Sequence, residues 1–553
     1  MSFYTIQRNK YHKPLVCPLC GHQDIFENLV NYSSDNLNRD YINCNSCGQV
    51  FSEPFIVPDY ADSDFSDIAG DYSYECYSDI GAGIESMIRP LIALMVNPIG
   101  ELDSFLDVGC GFGYCVKFAS ILMGLRSVGY EPGEYGRIGA KVMGVDIINK
   151  YFQADSSTSK YSVIFSSEVI EHVPDPCSYL SNICSVLSKK GIAVLTTPDT
   201  GYLHKRLEEL NDSDLKALAL LGPGQHISLF NKESMEFLLR KIGILNYKIF
   251  EEDASLIVYF SHDLNLELFD LPKDTEVRKY YLEFLDRLLK TSAKRFGMRD
   301  TLENLFFQIT KVKTIKTQEE LGSRFELGIA YRLMRELVND GDFKKAIEIQ
   351  RKYESLYIRS FDITVYDALN SITPIDVEKC DSPVAILKLF SDKRISFNLY
   401  GFLFYSVNIA LNFGKTSHTD IFYLISFTQR ATDTLSTLFE TLSNEPLALT
   451  WFGEYFRLYP RFCFGLAILY MHLDKNQDAL VLLNKLLVTI DEGKYEIDSR
   501  LKPDCLLQKS VIFLRTKDMS SFYACTNTLA EEHLEFSYSS ELLSTLLRKA
   551  ENI

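Results

Sequence analysis

The sequence predicts an α/β core on a mostly parallel sheet, preceded by a cysteine-rich module and followed by an all-helical half. Three observations carry this. Residues 105–114 read Phe-Leu-Asp-Val-Gly-Cys-Gly-Phe-Gly-Tyr, an apolar run that turns on glycines into a helical pattern. Two Cys-x-x-Cys-Gly pairs, at Cys17/Cys20 and Cys44/Cys47, are separated by 23 residues. Beyond residue 263 the apolar spacing is mostly helical.

A chain of 553 residues exceeds one hydrophobic core, so several domains are expected. The boundaries read from the sequence are 1–57, 58–100, 101–262 and 263–553. Hydrophobic content of 46% and charged content of 24% are ordinary for a globular protein. The net charge of −17 argues against a general nucleic-acid grip, which needs a basic surface. No apolar run approaches the ~20 residues of a membrane span, and the N-terminus has no apolar core of signal-peptide kind. Residues 399–411, the longest candidate, contain Ser406 and Asn408 and read as a buried helix. The other cysteines mostly sit singly in apolar segments. That usage suggests a reducing compartment, and a cytoplasmic protein is expected.

The central stretch carries the first chemistry. Ser104–Val108 reads as a buried parallel strand and residues 114–123 as a helix. Gly109, Gly111 and Gly113 between them would bring bare backbone against a ligand. The spacing is not that of a dinucleotide fingerprint, and the Lys-Ser/Thr of a phosphate loop is absent. A second strand, Arg126–Tyr130, ends in Glu131-Pro132. A carboxylate at that strand tip can accept both ribose hydroxyls of a nucleoside. Residues 161–172 (Tyr-Ser-Val-Ile-Phe-Ser-Ser-Glu-Val-Ile-Glu-His) run into Val-Pro-Asp-Pro. A helix at 176–187, a strand at 191–198, His226 with a helix to Ile242, and two strands at 247–251 and 255–261 follow.

With these motifs in this order, residues ~70–262 resemble the class I S-adenosylmethionine (SAM) methyltransferases. The resemblance implies a Rossmann-like, seven-stranded, mostly parallel sheet. It implies SAM over Asp107, Gly109, Gly111 and Gly113, with Glu131 on the ribose and Asp155 by the adenine amine. The acidic, aromatic stretch 58–80 is either a linker whose tyrosines pack on neighbours or a lid over the cofactor contributed by Tyr72 or Tyr74.

The four cysteines Cys17, Cys20, Cys44 and Cys47 have the spacing of a zinc ribbon. Four thiolates leave no open position on the ion, so this zinc is structural. Ribbons often bind nucleic acid, but residues 24–40 carry Asp24, Glu27, Asp35 and Asp40 against Arg39 alone. A ribbon before a SAM domain also resembles the deoxysugar C-methyltransferases, in which it helps wall the substrate pocket.

Two catalytic candidates stand out. Glu168-x-x-Glu171-His172 matches the Glu-x-x-Glu-His of ubiquinone-pathway O-methyltransferases, which implies a candidate divalent-ion site. His226 falls where the sugar C-methyltransferases have a candidate base. Here, however, Gly222-Pro-Gly-Gln225 precedes it, and the neighbouring acid is missing. A structural role for His226, capping the next helix, is the alternative. Residues 203–223 read as a charged helical cap over the sheet edge where an acceptor would enter.

Residues 263–553 lack the α/β C-terminal domain of the sugar enzymes. Gly341, Phe343 and Ala346, and again Ala467, Tyr470 and Ala479, have tetratricopeptide-like offsets, so helical hairpins in an irregular solenoid are expected. Residues 351–368 read as less regular. The aromatic cluster Trp451, Phe452, Tyr455, Phe456 and Tyr459 reads as core. This half is expected to hold a protein partner, a second copy or a long acceptor. The function expected is SAM-dependent methylation, at oxygen, of a sugar or glycan-type small molecule. The alternatives are C-methylation of a deoxysugar nucleotide, or a scaffold that works through its helical half.

Overall fold

The computed structural model describes residues 3–550, except 12–14, 24–25, 35–36, 62–83, 98, 156–158, 210–217, 219, 253, 293–317, 414–417, 443–447, 492–499 and 533–536. The chain forms two compact units, residues 1–329 with 445–450, and residues 330–444 with 451–553.

The first unit contains two sheets. The N-terminal sheet has the order β1 (Phe3–Lys10), β2 (Phe26–Ser33), β3 (Asn38–Cys44), β4 (Val50–Glu53), all antiparallel neighbours. Its fifth strand comes from far along the chain: β10 (Ser228–Leu229) pairs antiparallel with β4 through Ser228–Phe51 and Leu229–Val50. The cysteine-rich module and the α/β core therefore share a ladder.

The core sheet contains β5 (Ser104–Val108), β6 (Arg126–Tyr130), β7 (Ile147–Ile148), β8 (Tyr161–Ser167), β9 (Leu187–Pro198), β11 (Tyr247–Glu252) and β12 (Ser255–Phe260). Their order is β11-β12-β9-β8-β5-β6-β7, with β9 through β7 parallel and β11 and β12 antiparallel. This is the seven-stranded, mostly parallel sheet that the motif series implies. All five residues of β5 are buried, as a central strand covered on both faces requires. The chain leaves β5 towards β6 on one side and returns to β8 on the other. The topological switch point, where ligands bind in such sheets, thus lies between the carboxyl ends of β5 and β8.

Local signals account for the helices that frame this point. The helix Pro176–Val186 starts with proline after Asp175, whose side chain accepts from the Ser178 amide. The helix Lys232–Lys241 is capped by Asn231 in a capping box with Ser234, and carries Arg240 and Lys241 in its last turn. Asn231, and not His226, performs the capping. The helix Asp274–Ser292 also belongs to the first unit, its Phe284 ring edge-on to Phe118 at 5.3 Å.

The second unit is helical among its described residues. Gly341 (φ +76°) ends one helix and Asp342 caps the next, Phe343–Phe361. Residues 351–361 are thus regular helix, contrary to the expectation, because the buried stripe Tyr353, Leu356, Tyr357 and Phe361 keeps helical spacing. Two more sharp reversals pass through Asp474 and Lys517, both left-handed. Ala346, Ala467 and Ala479 are fully buried. Phe452, Tyr455 and Tyr459 are buried, with Phe390 and Phe397 against the first two, in agreement with a core reading. The side chains of Trp451 and Phe456 lie outside the described residues.

Candidate functional site

The glycine turn after β5 takes the shape its residues allow. Gly109, Gly111 and Gly113 have φ of +76°, +50° and +81°, a region glycine enters freely. The Gly109 and Cys110 amides donate to the Tyr130 carbonyl at 2.8 and 3.0 Å, tying the turn to the end of β6. A Cβ on Gly109 would come within 2.4 Å of Val169, and one on Gly113 within 2.9 Å of Ile147. A Cβ on Gly111 would meet nothing within 4 Å, so Gly111 faces open space.

Glu131 stands beside it. Its carboxylate accepts the Gly111 amide at 3.0 Å and the Gly133 amide at 2.8 Å. Burial raises the Glu131 carboxyl, while those two amides pull it back down. Asp107 lies buried at the end of β5, and burial together with the Glu131 charge raises its carboxyl well above the usual range. Each Glu131 oxygen has accepting capacity left, and the backbone beside it is bare. Asp155 is exposed and follows Phe152, whose ring packs edge-on to Tyr130 at 5.1 Å. Tyr72, with Tyr74, lies outside the described residues.

A second group gathers at the other side of the switch point. Glu168 is left-handed (φ +55°), an unusual conformation for a non-glycine residue. Its carboxylate accepts from the Thr196 hydroxyl at 2.9 Å. The turn Ile170–His172 then points Glu171 inward, fully buried, where one oxygen accepts from Thr197 at 2.9 Å. The other oxygen lies 3.7 Å from His172 Nε2. The Ile227 amide donates to the Glu171 carbonyl at 2.9 Å, and the Ser52 amide of β4 donates to the Ile227 carbonyl at 3.2 Å. These bonds bring His226 over the turn, where its ring meets His172 edge to face at 4.8 Å.

His226 Nδ1 is 2.8 Å from the Leu220 carbonyl. A carbonyl can only accept, so Nδ1 carries the hydrogen and Nε2 the lone pair. The ring lies on Gly222, where any Cβ would approach it to 2.6 Å, which explains the Gly222-Pro-Gly approach. Burial depresses both imidazoles, His172 to about 3 and His226 to about 4, so both are neutral near pH 7. Burial and the Glu168 charge push Glu171 well above the usual carboxylate range. The atoms of Glu171, His172 and His226 that could hold an ion lie within 4.8 Å of one another. The converging set differs from the expected Glu168, Glu171 and His172: His226 is drawn in, while Glu168 is bonded to Thr196. The acid missing from the sequence around His226 is supplied in space by Glu171.

Sequence reasoning missed Tyr60, whose hydroxyl is 2.7 Å from His172 Nδ1. Its only signal was a tyrosine in an acidic, aromatic stretch.

The cysteine module forms the expected group. Cys17, Cys20, Cys44 and Cys47 converge, with Sγ–Sγ separations of 3.7 Å (Cys17–Cys47) and 3.6 Å (Cys20–Cys44). A zinc tetrahedron with ~2.3 Å bonds sets its sulfurs about 3.8 Å apart, so the four thiols fit a structural zinc. The two knuckles repeat one geometry: the Gly21 and Gly48 amides donate to the Cys17 and Cys44 carbonyls, both glycines at φ +77°.

A doubly wound sheet with a glycine turn and a buried carboxylate beside its switch point defines a Rossmann-like α/β domain. Residues 83–248 match the methyltransferase domain family, and the chain thus carries a methyltransferase domain. Among curated relatives, the ubiquinone biosynthesis O-methyltransferase of Shewanella sp. (strain ANA-3) is 33% identical over 100 residues, covering 17% of this chain and 42% of that one. Its counterpart in Vibrio atlanticus (strain LGP32) is 36% identical over 94 residues, covering 16% and 39%. The chain spans about two fifths of the length of these relatives. Among solved structures, the plantazolicin methyltransferase BpumL in complex with SAH aligns over 36% of this chain and 92% of its own, at 17% identity and a TM-score of 0.30. The magnesium protoporphyrin IX methyltransferase ChlM from Synechocystis PCC 6803 with bound SAM aligns over 34% and 83%, at 14% identity and 0.24.

Proposed function

We propose that the protein is a SAM-dependent methyltransferase that methylates an oxygen of a small, sugar or glycan-type acceptor. The observation that carries this reading is Glu131, bridging the Gly111 and Gly133 amides at the switch point beside open space. SAM, when bound, supplies a methyl group on a sulfonium already activated for transfer. What the chain must add is alignment, exclusion of water and a place for the acceptor's proton.

Glu171, His172 and His226 supply that place. A neutral imidazole with its lone pair free can take a hydroxyl proton, and in His226 the Leu220 carbonyl on Nδ1 leaves Nε2 for that role. The same three residues are a candidate site for a divalent ion, which would lower the acceptor hydroxyl's pKa directly. Asp155 is proposed to face the adenine amine. O-methylation is supported by the curated relatives, whose names are those of O-methyltransferases. C-methylation of a deoxysugar nucleotide is the second reading, favoured by the place of His226 in the cluster. The helical unit, with its tetratricopeptide-like hairpins, is proposed to hold a protein partner, a second copy or a long acceptor, and the protein to work in the cytoplasm. Among the described residues no helix is long and apolar enough to cross a membrane.

Calorimetric titration with S-adenosylhomocysteine tests the cofactor, with micromolar binding expected and no heat of binding overturning the reading. Tritiated-methyl transfer into a lysate of the source organism, followed by fractionation, identifies the acceptor. Label recovered only in protein or nucleic acid would overturn the small-molecule assignment.

A further inference from the structure

Residues 59–61 form a strap that touches both sides of the site. On one side it is anchored to the loop after β7. The Tyr60 amide donates to the Tyr151 hydroxyl at 2.8 Å, and that hydroxyl donates to Asp59 at 2.8 Å. The Ala61 amide adds a 3.0 Å bond to the same Asp59 carboxylate. The Tyr60 carbonyl then lies 3.4 Å from where a Cβ on Gly133 would stand, beside the amide that holds Glu131. From there the Tyr60 side chain crosses to the other group. Its hydroxyl is 2.7 Å from His172 Nδ1, and its ring meets the imidazole edge to face at 5.4 Å. The Gln225 carbonyl is 3.1 Å from the same nitrogen.

We infer that Tyr60 is a positioning residue of the transfer site: its hydroxyl fixes the plane of the His172 imidazole, whose tautomer the Gln225 carbonyl sets, and the strap ties that setting to the Glu131 side. The Gln225 carbonyl can only accept, so Nδ1 carries the hydrogen and the Tyr60 oxygen shares it. Nε2 then holds the lone pair, turned towards Glu171. Without Tyr60 the ring would keep one partner on Nδ1 and could pivot about it. Among the described residues, the titratable groups facing His172 are Tyr60, Glu171 and His226, with Glu168 behind Glu171.

This inference rests on the methyltransferase reading for its purpose but not for its test. The full-length protein is labelled with 15N in its histidine rings, and the His172 signals are assigned by their loss in His172→Gln. Tyr60→Phe keeps the ring of a half-buried residue and removes only the hydroxyl. The His172 Nδ1 shift and ring signals are expected to move and broaden in Tyr60→Phe, as the ring loses its second Nδ1 partner and pivots. The His226 signals are expected to stay and the melting temperature to hold within a few degrees. Tyr151→Phe, which loosens the strap from its far end, is expected to reproduce the change in weaker form. Unchanged His172 shifts in Tyr60→Phe would overturn the inference. S-adenosylhomocysteine titration of the same samples is read separately: normal His172 coupling without binding would sink the cofactor assignment and leave the strap intact.

Discussion

The Gly111 amide donates to the Glu131 carboxylate at 3.0 Å, joining the turn after β5 to the tip of β6. One bond thus fixes, against the glycine turn, the carboxylate proposed to hold the nucleoside's sugar. The carboxylate is already oriented before any ligand arrives, which lowers the ordering cost of binding.

This geometry separates two glycines that look alike in sequence. Gly111 faces open space, whereas a Cβ at Gly109 would run into Val169 at 2.4 Å. Gly109→Ala is therefore expected to cost about 1–3 kcal/mol of stability through overpacking. Gly111→Arg is expected to abolish S-adenosylhomocysteine binding while leaving the fold cooperative. Calorimetry and thermal melts on the two variants check the pair, and unchanged affinity in Gly111→Arg would remove the basis of the cofactor site.

The cysteine module, with zinc on its four thiols, is expected to support the His226 side of the core. The second knuckle leads into β4, which pairs with β10 and bonds Ile227, next to His226. Metal analysis should find one zinc per chain, lost in Cys47→Ser. Chelation should speed amide hydrogen exchange in residues 220–232 as well as in the ribbon. Exchange that rises in the ribbon alone would show that the two sheets do not depend on each other.

Acid should weaken the fold through the buried imidazoles. His226 titrates at about 4 when folded, against an ordinary value near 6.5, so between these values the unfolded chain binds more protons. Stability from this group is present above the unfolded value and is lost as pH falls towards the folded one. From pH 7.5 to 5 the wild type should lose about 2 kcal/mol that His226→Gln does not lose. Denaturant melts of both proteins at the two pH values measure the difference.

Glu171 and His172 should matter for transfer and not for the cofactor. Glu171→Gln or His172→Gln is expected to lower tritiated-methyl transfer into lysate roughly 10²–10⁴-fold, the usual weight of a positioned acid or base. Affinity for S-adenosylhomocysteine should stay within a few fold of wild type. Transfer at the wild-type rate would place the proton acceptor elsewhere.

Much of this site was legible in the chain because its parts are local. An apolar run followed by alternate glycines can only be a strand leaving through a tight, bare turn, and Glu131 comes one strand further on. The same holds for the ribbon, since four thiols at knuckle spacing converge by local geometry. His226 and Glu171 were each visible, yet their meeting was not. They lie on separate segments held together by the Ile227 amide bond to the Glu171 carbonyl and by the Gln225 carbonyl on His172. Tyr60 gave less warning still, because its partner His172 is 112 residues away and its stretch has no periodicity to read. Local hydrogen bonding and side-chain period determine strands, turns and knuckles. Which distant side chains face one another depends on how the sheets pack and share a ladder, and that order exists only once the chain has folded.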